Sequence, residues 1–387
     1  MLTVCTRNLT RKSGALSLIH KRSLSLRSDY DLDTKFILLT SAEKYNNGAA
    51  ELSQDGFELV NVTYNSKMSL IMSFWYLYLK IRLHMKKETR NNCILITGYF
   101  PIIFVKLLRL EFKNWKFVND VHGAPEEFIE YPGNQKYIRR IKYYVWSRHL
   151  KWIGKVFDGV FIVSSAMQEL LERKYFFSKS KVCYFQVPCI DNYDVRGTEA
   201  RTATFSVNDN ESIKLFYAGS DAPWQNIDTM LELHKYLNEN YTFGSTLYLV
   251  ISNQSYDLNN QVLDNVVLHK NLSREEVFAV AGNANYGLLL RDKDVTNWVS
   301  YPNKIYDYLV AGLDLIFTDG ISELNSIHRR YQLGCRLEAN WPIEKMATAI
   351  ISYHQRNKKF HPEKLLSELN MKNALVKFVQ YSRGEEK

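Results

Sequence analysis

The sequence predicts an α/β protein, and three observations support that prediction. Short apolar runs rich in β-branched and aromatic residues alternate with longer helical patterns along most of the chain, which is typical of βα units and a parallel sheet. These runs show little polar–apolar alternation, as expected for strands covered on both faces. The length of 387 residues suits two or three domains at about 150 residues each. We therefore expect two doubly wound, Rossmann-like domains facing each other across a cleft.

The first half of the chain predicts six strands separated by helices. The strand candidates are residues 2–5, 35–40, 93–97, 116–121, 159–164 and 182–187. The helical stretches are residues 15–26, 69–88, 101–110, 134–153 and 165–175. We assign residues 1–190 to a first domain.

The second half restarts this pattern after residues 191–212, a polar stretch without apolar periodicity that we interpret as a linker. The strands predicted beyond it are 214–219, 245–252, 265–269, 286–290 and 314–318, and the helices are 225–240, 274–281 and 303–311. Ser273 and Glu276 form a capping-box pattern that opens the helix 274–281. Residues 213–361 therefore predict a second domain, and residues 362–387 a C-terminal helix that we expect to return to the first.

Composition indicates a globular chain whose halves differ in charge. Hydrophobic residues make up 46% of the sequence and charged residues 24%, which excludes a disordered chain. Residues 1–200 hold 30 of the 50 Lys and Arg residues and 19 of the 41 Asp and Glu residues, so they carry +11 and the rest of the chain −2. The basic half indicates an anionic partner: nucleic acid, a lipid headgroup or a phosphorylated substrate.

The cysteine pattern and the length of the apolar runs indicate in which compartment the protein is expected. The five cysteines are scattered, without a CxxC pair or a nearby His cluster, which argues against a disulfide framework or a zinc site and fits a reducing cytoplasm. The sequence does not open with a secretory signal pattern. The longest apolar run, residues 68–79, would span about 18 Å as a helix, short of the roughly 30 Å of bilayer hydrocarbon. We expect a cytoplasmic protein without a membrane-spanning segment.

Each domain has a glycine loop after its first strand, at the edge where such sheets bind ligands. Gly14 ends the first loop, and Gly219 with Ser220 forms the second. A glycine lets the backbone approach a phosphate, and the following helix offers N–H donors; a plain helix-start turn is the alternative for Gly14. The GxGxxG spacing is absent, which argues against a nicotinamide dehydrogenase.

The loop after the fourth strand of the first domain combines a histidine with carboxylates beside a Gly–Pro turn. Its candidate residues are Asp120, His122, Gly123 and Glu126. We expect a functional His122, and the alternative is a turn with an Asp cap and solvated glutamates.

A further candidate lies in the second domain, where a buried strand ends in Arg291. The loop after it leads through Pro302 and Asn303 to a helix that carries Lys304 in its first turn and Asp307 three residues on. A cation at a helix N-terminus opposes the helix dipole. We therefore interpret Lys304 as a ligand for an anion.

Two acidic pairs, Asp31 with Asp33 and Asp292 with Asp294, match the DxD spacing that holds a divalent ion in nucleotide-sugar enzymes of another fold. Such spacing often arises by chance, and the single mixed sheet that this metal site needs is not predicted. We expect neither a metal site nor a cofactor.

Residues 214–318 resemble the donor domain of the group 1 glycosyltransferases, a retaining family with the GT-B fold. The most specific match is the run Tyr301-Pro-Asn-Lys304-Ile-Tyr-Asp307-Tyr-Leu-Val-Ala-Gly312, which is similar to the Ser-Pro-x-Lys-x-x-Glu-Tyr-Leu-x-x-Gly run of capsule and lipopolysaccharide enzymes. The other matching stretches are 215–219, 224–228 and Arg291 in the second half and, more loosely, 120–123, 163–165 and 187–191 in the first.

The resemblance implies that the protein transfers a sugar, and it implies a role in that transfer for each of the candidate residues. Residues 1–190 would bind the acceptor, a surface polysaccharide or lipid-linked glycan, and residues 213–361 a nucleotide sugar, UDP-linked rather than GDP-linked. A hexosyl or related sugar would move with retention and without a metal. Asp307 would bind the ribose hydroxyls, Gly14 would lie against the diphosphate, and His122 would face the transferred sugar. The remaining donor-side residues would be Gly219, Ser220, Pro302 and Asn303, and the acceptor-side residues Asp120, Gly123 and Glu126.

Some positions depart from the family's pattern. Val299 stands where the first Glu of a paired-Glu motif is usual, and Gln225 stands in place of a Lys that grips the diphosphate. The Arg that usually grips the diphosphate together with this Lys is also missing, and Ser220 stands near its position. We predict that Arg291 and Lys304 supply the missing cations and act in catalysis. The alternative is a catalytically weak or binding-only relative.

The basic excess of the first half falls largely on residues 69–88 and 136–152. The basic residues of the second stretch lie mostly off its apolar stripe: Lys136, Arg139, Arg140 and Lys142. These helices predict a basic, aromatic surface for an anionic membrane, the inner face of the plasma membrane; ordinary domain helices with solvated basic faces are the alternative. A nucleic-acid-binding protein is a further alternative, but no DNA- or RNA-binding motif is present, so we expect no nucleic-acid partner.

Overall fold

The computed structural model describes residues 1–6, 14–32, 34–41, 55, 57–64, 67–88, 93–187, 212–258, 264–356, 363–368 and 371–385. The chain forms two compact units. Unit 1 comprises Met1–Phe128, Gln135–Asn192 and Asn370–Lys387, and unit 2 comprises Ile129–Asn134 and Tyr193–Leu369. Of the predicted linker, residues 191–211 lie outside the described residues, as do residues 188–190 of the predicted first domain.

Unit 1 is built on a parallel sheet of seven strands. In chain order they are β1 (Leu2–Cys5), β2 (Lys35–Ser41), β3 (Leu59–Tyr64), β4 (Cys93–Thr97), β5 (Lys116–Asp120), β6 (Gly159–Ile162) and β7 (Cys183–Gln186). Their order in the sheet is β3-β2-β1-β4-β5-β6-β7. The direction of winding reverses between β1 and β4, which pair in parallel, so a ligand crevice is expected at the carboxyl ends of these two strands.

Unit 2 repeats this arrangement with six parallel strands. They are β8 (Ile213–Gly219), β9 (Ser245–Ile251), β10 (Val266–Lys270), β11 (Tyr286–Leu289), β12 (Asp314–Thr318) and β13 (Cys335–Leu337). Their order is β10-β9-β8-β11-β12-β13. Here the winding reverses between β8 and β11, which also pair in parallel.

Helices connect the strands of both units. In the first half they are α1 (Gly14–Tyr30), α2 (Lys67–Lys87), α3 (Ile102–Glu111), α4 (Glu127–Glu130), α5 (Lys136–Val156) and α6 (Ser165–Tyr175). In the second half they are α7 (Ile227–Asn240), α8 (Arg274–Ala281), α9 (Val295–Trp298), α10 (Lys304–Val310), α11 (Ser322–Tyr331), α12 (Ile343–Gln355), α13 (Glu363–Glu368) and α14 (Met371–Arg383). In the described part of the chain, no helix combines the length and apolarity needed to cross a bilayer.

The predicted α/β class is confirmed by the burial of the strands. Every residue of β4 and of β12 is buried, as expected where helices cover both faces of a parallel sheet. The structure also contains elements that the sequence prediction lacks: β3, β13, α4, α9, α11 and α12. β13 has three residues, fewer than a sequence pattern can identify as a strand, whereas α12 buries Met346, Ala347, Ile350 and Ile351 at the spacing of an amphipathic helix.

The C-terminal region forms two helices where the sequence predicts one. Helix α13 lies in unit 2 and helix α14 in unit 1. Leu375, Phe378 and Val379 of α14 are buried in a core cluster with side chains of the unit 1 sheet. The Phe378 ring centroid lies 4.7 Å from that of Phe161 and 5.3 Å from that of Phe185. Helix α14 thus completes the core of unit 1.

Replacing Phe378 by Ala removes a buried ring from this cluster. We expect the free energy of unfolding to fall by about 3–5 kcal/mol, measured by urea denaturation followed by circular dichroism. Val376→Ala is the matched control, because Val376 lies on the same helix and is 39% exposed; its loss should be within about 0.5 kcal/mol. Equal losses in the two variants would contradict the packing of α14 against the sheet.

Candidate functional site

The candidate residues of unit 2 gather at the carboxyl ends of β8 and β11, where the winding of the sheet reverses. Gly219 ends β8, and Arg291 follows β11 by two residues. Helix α10 begins at Lys304, with the buried Pro302 and the exposed Asn303 before it. A Cβ at position 219 would lie 2.5 Å from the Lys304 Nζ atom. The glycine that the sequence assigns to phosphate approach therefore makes room for the Lys304 ammonium.

The Lys304 ammonium is held by two neutral side chains. Its Nζ donates to the hydroxyl of Tyr217 at 2.8 Å and to Oε1 of Gln225 at 2.6 Å. The Tyr217 hydroxyl donates to the backbone carbonyl of Ser220 at 2.6 Å. The pKa of Lys304 is lowered well below its usual value, because the ammonium is desolvated and because Arg291 carries the same charge. A bound anion would compensate both effects.

Arg291 is held by hydrogen bonds of both its side chain and its backbone. Its Nη1 donates to the carbonyl of Trp224 at 2.7 Å and to Oδ1 of Asn297 at 3.2 Å. Its backbone N–H donates to the hydroxyl of Thr318 at 2.6 Å. The residue is only 6% exposed, and burial lowers the pKa of its guanidinium. Arg291 is therefore a buried positive charge at the end of β11, close enough to Lys304 to act on its pKa.

A cavity of about 300 Å³ lies beside Lys304. Most of its lining residues are apolar or aromatic: Phe216, Ala218, Leu272, Val277, Phe278, Ala281, Tyr308 and Ala311. The three charged lining residues are Arg274, Lys304 and Asp307. The Arg274 Nη2 donates to Oδ1 of Asp307 at 2.7 Å. An apolar cavity with a carboxylate and cations at its wall suits a flat ring that carries hydroxyl and phosphate groups. Arg274 is absent from the sequence prediction, because no local pattern distinguishes it from other basic residues in a first helical turn.

The candidate residues of unit 1 form a second polar cluster at the carboxyl end of β5. Oδ2 of Asp120 accepts from Nη1 of Arg22 at 2.9 Å and from the hydroxyl of Thr97 at 3.2 Å. The His122 Nε2 lies 2.8 Å from the same oxygen. The side chains of Arg22 and Asp120 are each 2% exposed, and the Arg22 guanidinium lies 4.5 Å from the Phe161 ring centroid. Asp120 therefore lies between His122 and a buried cation.

Arg22 lies in the middle of α1, where nothing in the sequence singles it out. It reaches Asp120 across 98 positions of the chain. Gly14, the predicted phosphate-loop glycine, is the first residue of the same helix. The rest of that predicted loop, residues 7–13, lies outside the described residues.

The other two predicted acceptor-side residues are Glu126 and Gly123, and the contacts of Glu126 are with α6. Glu126 is buried, accepts from the hydroxyl of Tyr175 at 2.7 Å and pairs with Lys174 Nζ at 2.7 Å. It therefore secures the end of α6. Gly123 is exposed, and a Cβ added there would meet no atom within 4 Å.

The acidic DxD pair of unit 2 has structural partners. Asp292 accepts from Nδ2 of Asn226 at 2.8 Å. Asp294 precedes α9 and accepts from the backbone N–H of Asn297 at 2.7 Å. Within the described ranges, no group of three or more His, Cys, Asp or Glu side chains is arranged to hold a metal ion. Asp33, of the other pair, lies outside the described residues.

Solved structures match the chain over its full length, whereas no protein-family model and no curated protein matches it. A glycosyltransferase from Rickettsia africae has a TM-score of 0.63 at 13% identity, covering 100% of this chain and 99% of that one. WaaG, a glycosyltransferase involved in lipopolysaccharide biosynthesis, has a TM-score of 0.63 at 12% identity, covering 99% of this chain and 100% of that one. HepE from Anabaena in complex with UDP-glucose has a TM-score of 0.59 at 10% identity, covering 100% and 98%.

These neighbours are GT-B glycosyltransferases, and the chain has their fold. The predicted fold class is thereby confirmed, since each unit is a doubly wound parallel sheet. At these identities the likeness defines the fold, and the chemistry of the site must indicate the function.

Removing one member of the buried Arg22–Asp120 pair should destabilise unit 1 strongly. We expect Arg22→Met to lower the free energy of unfolding by about 3–5 kcal/mol, because it leaves a buried carboxylate without its cation. The double variant Arg22→Met, Asp120→Asn should recover part of this loss in urea denaturation.

Arg173→Met is the matched control for this prediction. Arg173 is 83% exposed and pairs with Glu169 at 3.7 Å, so its loss should be within about 1 kcal/mol. A similarly small loss for Arg22→Met would show that the buried pair does not stabilise the unit.

Proposed function

We propose that this protein is a glycosyltransferase that takes a sugar from a nucleotide-sugar donor bound in unit 2. The observation that carries the proposal is the desolvated Lys304 ammonium at the wall of an apolar cavity of about 300 Å³. In this assignment the cavity holds the base, Asp307 accepts hydrogen bonds from the ribose hydroxyls, and Lys304 meets the diphosphate.

The donor we propose is a UDP-sugar. Two structural neighbours support it: HepE is in complex with UDP-glucose, and an E. coli protein with a TM-score of 0.58 is bound with UDP-2-fluoro glucose.

In this proposal Lys304 replaces the lysine that the glycosyltransferase family usually carries at the position of Gln225. Its Nζ lies 2.6 Å from Oε1 of Gln225. The ammonium of Lys304, at the start of α10, therefore lies next to the side chain that stands in the usual lysine's position. Arg291 is buried behind it and adds a fixed positive potential. Together they would stabilise the charge that develops on the leaving diphosphate, which is the main catalytic requirement of such a transfer.

The proposal assigns the acceptor to unit 1 and retention of configuration to the reaction. His122, oriented by Asp120 at 2.8 Å, would face the transferred sugar. The leaving phosphate would help to deprotonate the acceptor hydroxyl, so no pair of carboxylates at glycosidase spacing is needed. The acceptor class we propose is a surface-polysaccharide or lipid-linked glycan.

A lipid-linked acceptor is supported by the surface of helices α2, α3 and α5, which we call the basic apolar surface. These helices are neighbours: the ring centroids of Trp75 and Phe104 lie 5.7 Å apart, and Lys106 Nζ lies 4.0 Å from the Trp152 ring centroid. Together they hold 14 Lys and Arg residues and one acidic residue, Glu111. Their exposed large apolar residues are Met72, Trp75, Tyr76, Leu83, Ile103, Leu107, Leu110, Tyr137, Ile138, Ile141, Tyr144 and Val145.

Exposed apolar side chains among cations match an anionic bilayer surface better than water. On α5 the apolar residues nearest its N-terminus face solvent, with Tyr137 81% exposed and Ile141 63% exposed. Leu150 and Ile153, near the C-terminus of the helix, are buried. This pattern favours the membrane over the alternative in which the whole apolar stripe of α5 packs on its own sheet. We propose peripheral attachment to an anionic membrane, the inner face of the plasma membrane.

Lys304→Met should impair the transfer reaction itself. We expect kcat/KM for the UDP-sugar to fall about 100-fold, because the leaving diphosphate loses its nearest cation. Mass spectrometry of products, from a panel of UDP- and GDP-sugars with a lipid-diphosphate acceptor, measures the effect. Lys235→Met, at an exposed lysine of α7, is the control; turnover by Lys304→Met at the wild-type rate would overturn the assignment of Lys304.

Charge reversal on the basic apolar surface should release the protein from anionic membranes. We expect Arg139→Glu with Arg140→Glu to weaken binding to phosphatidylglycerol vesicles at least tenfold, since each Lys or Arg near such a surface contributes about 1 kcal/mol. Vesicle flotation measures the bound fraction. Tyr137→Ser with Ile141→Ser tests the apolar contribution.

Lys235→Glu with Arg329→Glu makes the same charge change on exposed residues of unit 2 and should bind vesicles as the wild type does. Absence of wild-type binding to phosphatidylglycerol vesicles would refute the membrane proposal and leave the donor proposal intact.

A further inference from the structure

A short segment from the first half of the sequence is part of unit 2. Residues Ile129–Asn134 belong to that unit, whereas the residues on both sides of them belong to unit 1. The segment contributes two polar side chains, Glu130 and Tyr131, to the loop that follows β11. The glycosyltransferase resemblance assigns no role to either residue.

Glu130 binds the start of α9 through both carboxylate oxygens. Oε1 accepts from the backbone N–H of Val295 at 3.0 Å. Oε2 accepts from the backbone N–H of Thr296 at 2.9 Å and from its hydroxyl at 2.5 Å. These three bonds fix the backbone of the loop between Arg291 and α10.

Tyr131 binds the side chains of the same loop. Its hydroxyl donates to Oδ2 of Asp294 and accepts from Nδ2 of Asn297 at 3.0 Å. Burial and the Asp294 carboxylate raise the pKa of Tyr131, so the hydroxyl keeps its proton. The Tyr131 ring lies edge-on to Trp224, with 5.6 Å between the ring centroids.

These contacts lead directly to Arg291. The amide nitrogen of Asn297 donates to both Tyr131 and Asp294, which turns its oxygen towards Nη1 of Arg291 at 3.2 Å. The other acceptor of Nη1 is the carbonyl of Trp224 at 2.7 Å. Both acceptors of Arg291 Nη1 therefore belong to residues that Tyr131 contacts.

We propose that Glu130 and Tyr131 are positioning residues of the donor site, which hold the guanidinium of Arg291 in place by fixing residues 294–297. The affinity for the donor diphosphate then depends on a segment that comes from the first half of the chain. The identity of the ligand rests on the proposed function, whereas the coupling of Tyr131 to Arg291 does not.

Titration calorimetry of the full chain with UDP tests the effect on binding. Tyr131→Phe removes one hydroxyl and keeps the ring, and Glu130→Gln removes one charge. We expect each to weaken UDP binding about tenfold and to raise the KM for the donor more than it lowers kcat. Tyr236→Phe and Glu239→Gln, both on α7, are the matched controls and should bind UDP as the wild type does.

A double-variant cycle separates positioning from a general loss of stability. In an Arg291→Lys background, Tyr131→Phe should weaken UDP binding by less than twofold, because its partner is already altered. A full additional tenfold loss there, or unchanged affinity in the single variants, would overturn the proposal. Thermal unfolding of each variant shows whether it is folded at the temperature of the titration.

Nitrogen NMR of the Arg291 side chain tests the coupling without any ligand. In the wild type we expect slow rotation about the Nε–Cζ bond, because Nη1 is held by two acceptors; in Tyr131→Phe we expect faster rotation. An unchanged Arg291 signal would refute the positioning role even if UDP binds. Failure of the wild type to bind UDP would instead count against the proposed function, and the NMR result would still decide the role of Tyr131.

Discussion

The need to cover a parallel sheet on both faces governs the placement of chemistry in this protein. Because helices occupy both faces, β4 and β12 are buried along their whole length, and their polar residues, Thr97, Asp314 and Thr318, stand at the strand ends. In both units the carboxyl ends adjoin the point where winding reverses. Asp120 of unit 1 and Arg291 of unit 2 both lie at such ends. The topology therefore determines where the two polar clusters lie, whichever polar residues occupy those positions.

The cation of each cluster has a different kind of partner: a carboxylate in unit 1 and neutral side chains in unit 2. Arg22 has the carboxylate of Asp120 at 2.9 Å, so its charge is paired within the fold. Lys304 has only neutral hydrogen-bond partners among its described contacts, Tyr217 and Gln225. Its pKa is lowered by desolvation and, in addition, by the positive charge of Arg291. In unit 1 the cation is already paired with a carboxylate, whereas in unit 2 a bound anion would supply the opposite charge that Tyr217 and Gln225 lack. That difference is the physical basis for placing the nucleotide in unit 2.

The excess charge of the first half has a structural counterpart on unit 1. The helices α2, α3 and α5 carry nearly all their charges with one sign and also expose large apolar side chains such as Trp75 and Tyr144. A basic surface for a soluble phosphorylated substrate would have no need of exposed aromatic residues. A bilayer satisfies both features, because it offers anionic headgroups above an apolar interior. The charge asymmetry is thus explained by the proposed acceptor side of the reaction.

The sequence by itself determined the α/β class, most of the strands, and the glycine, Lys304 and Asp307 positions, because these depend on local periodicity, turn chemistry and a short motif. It did not determine the partners of those residues. Lys304 meets Gln225 and Tyr217 across 79 and 87 positions, and Arg22 meets Asp120 across 98. Only the tertiary structure decided such pairs, and with them the contacts of Arg274 and Tyr131, because strand order and helix packing bring distant residues together and no local pattern encodes that order.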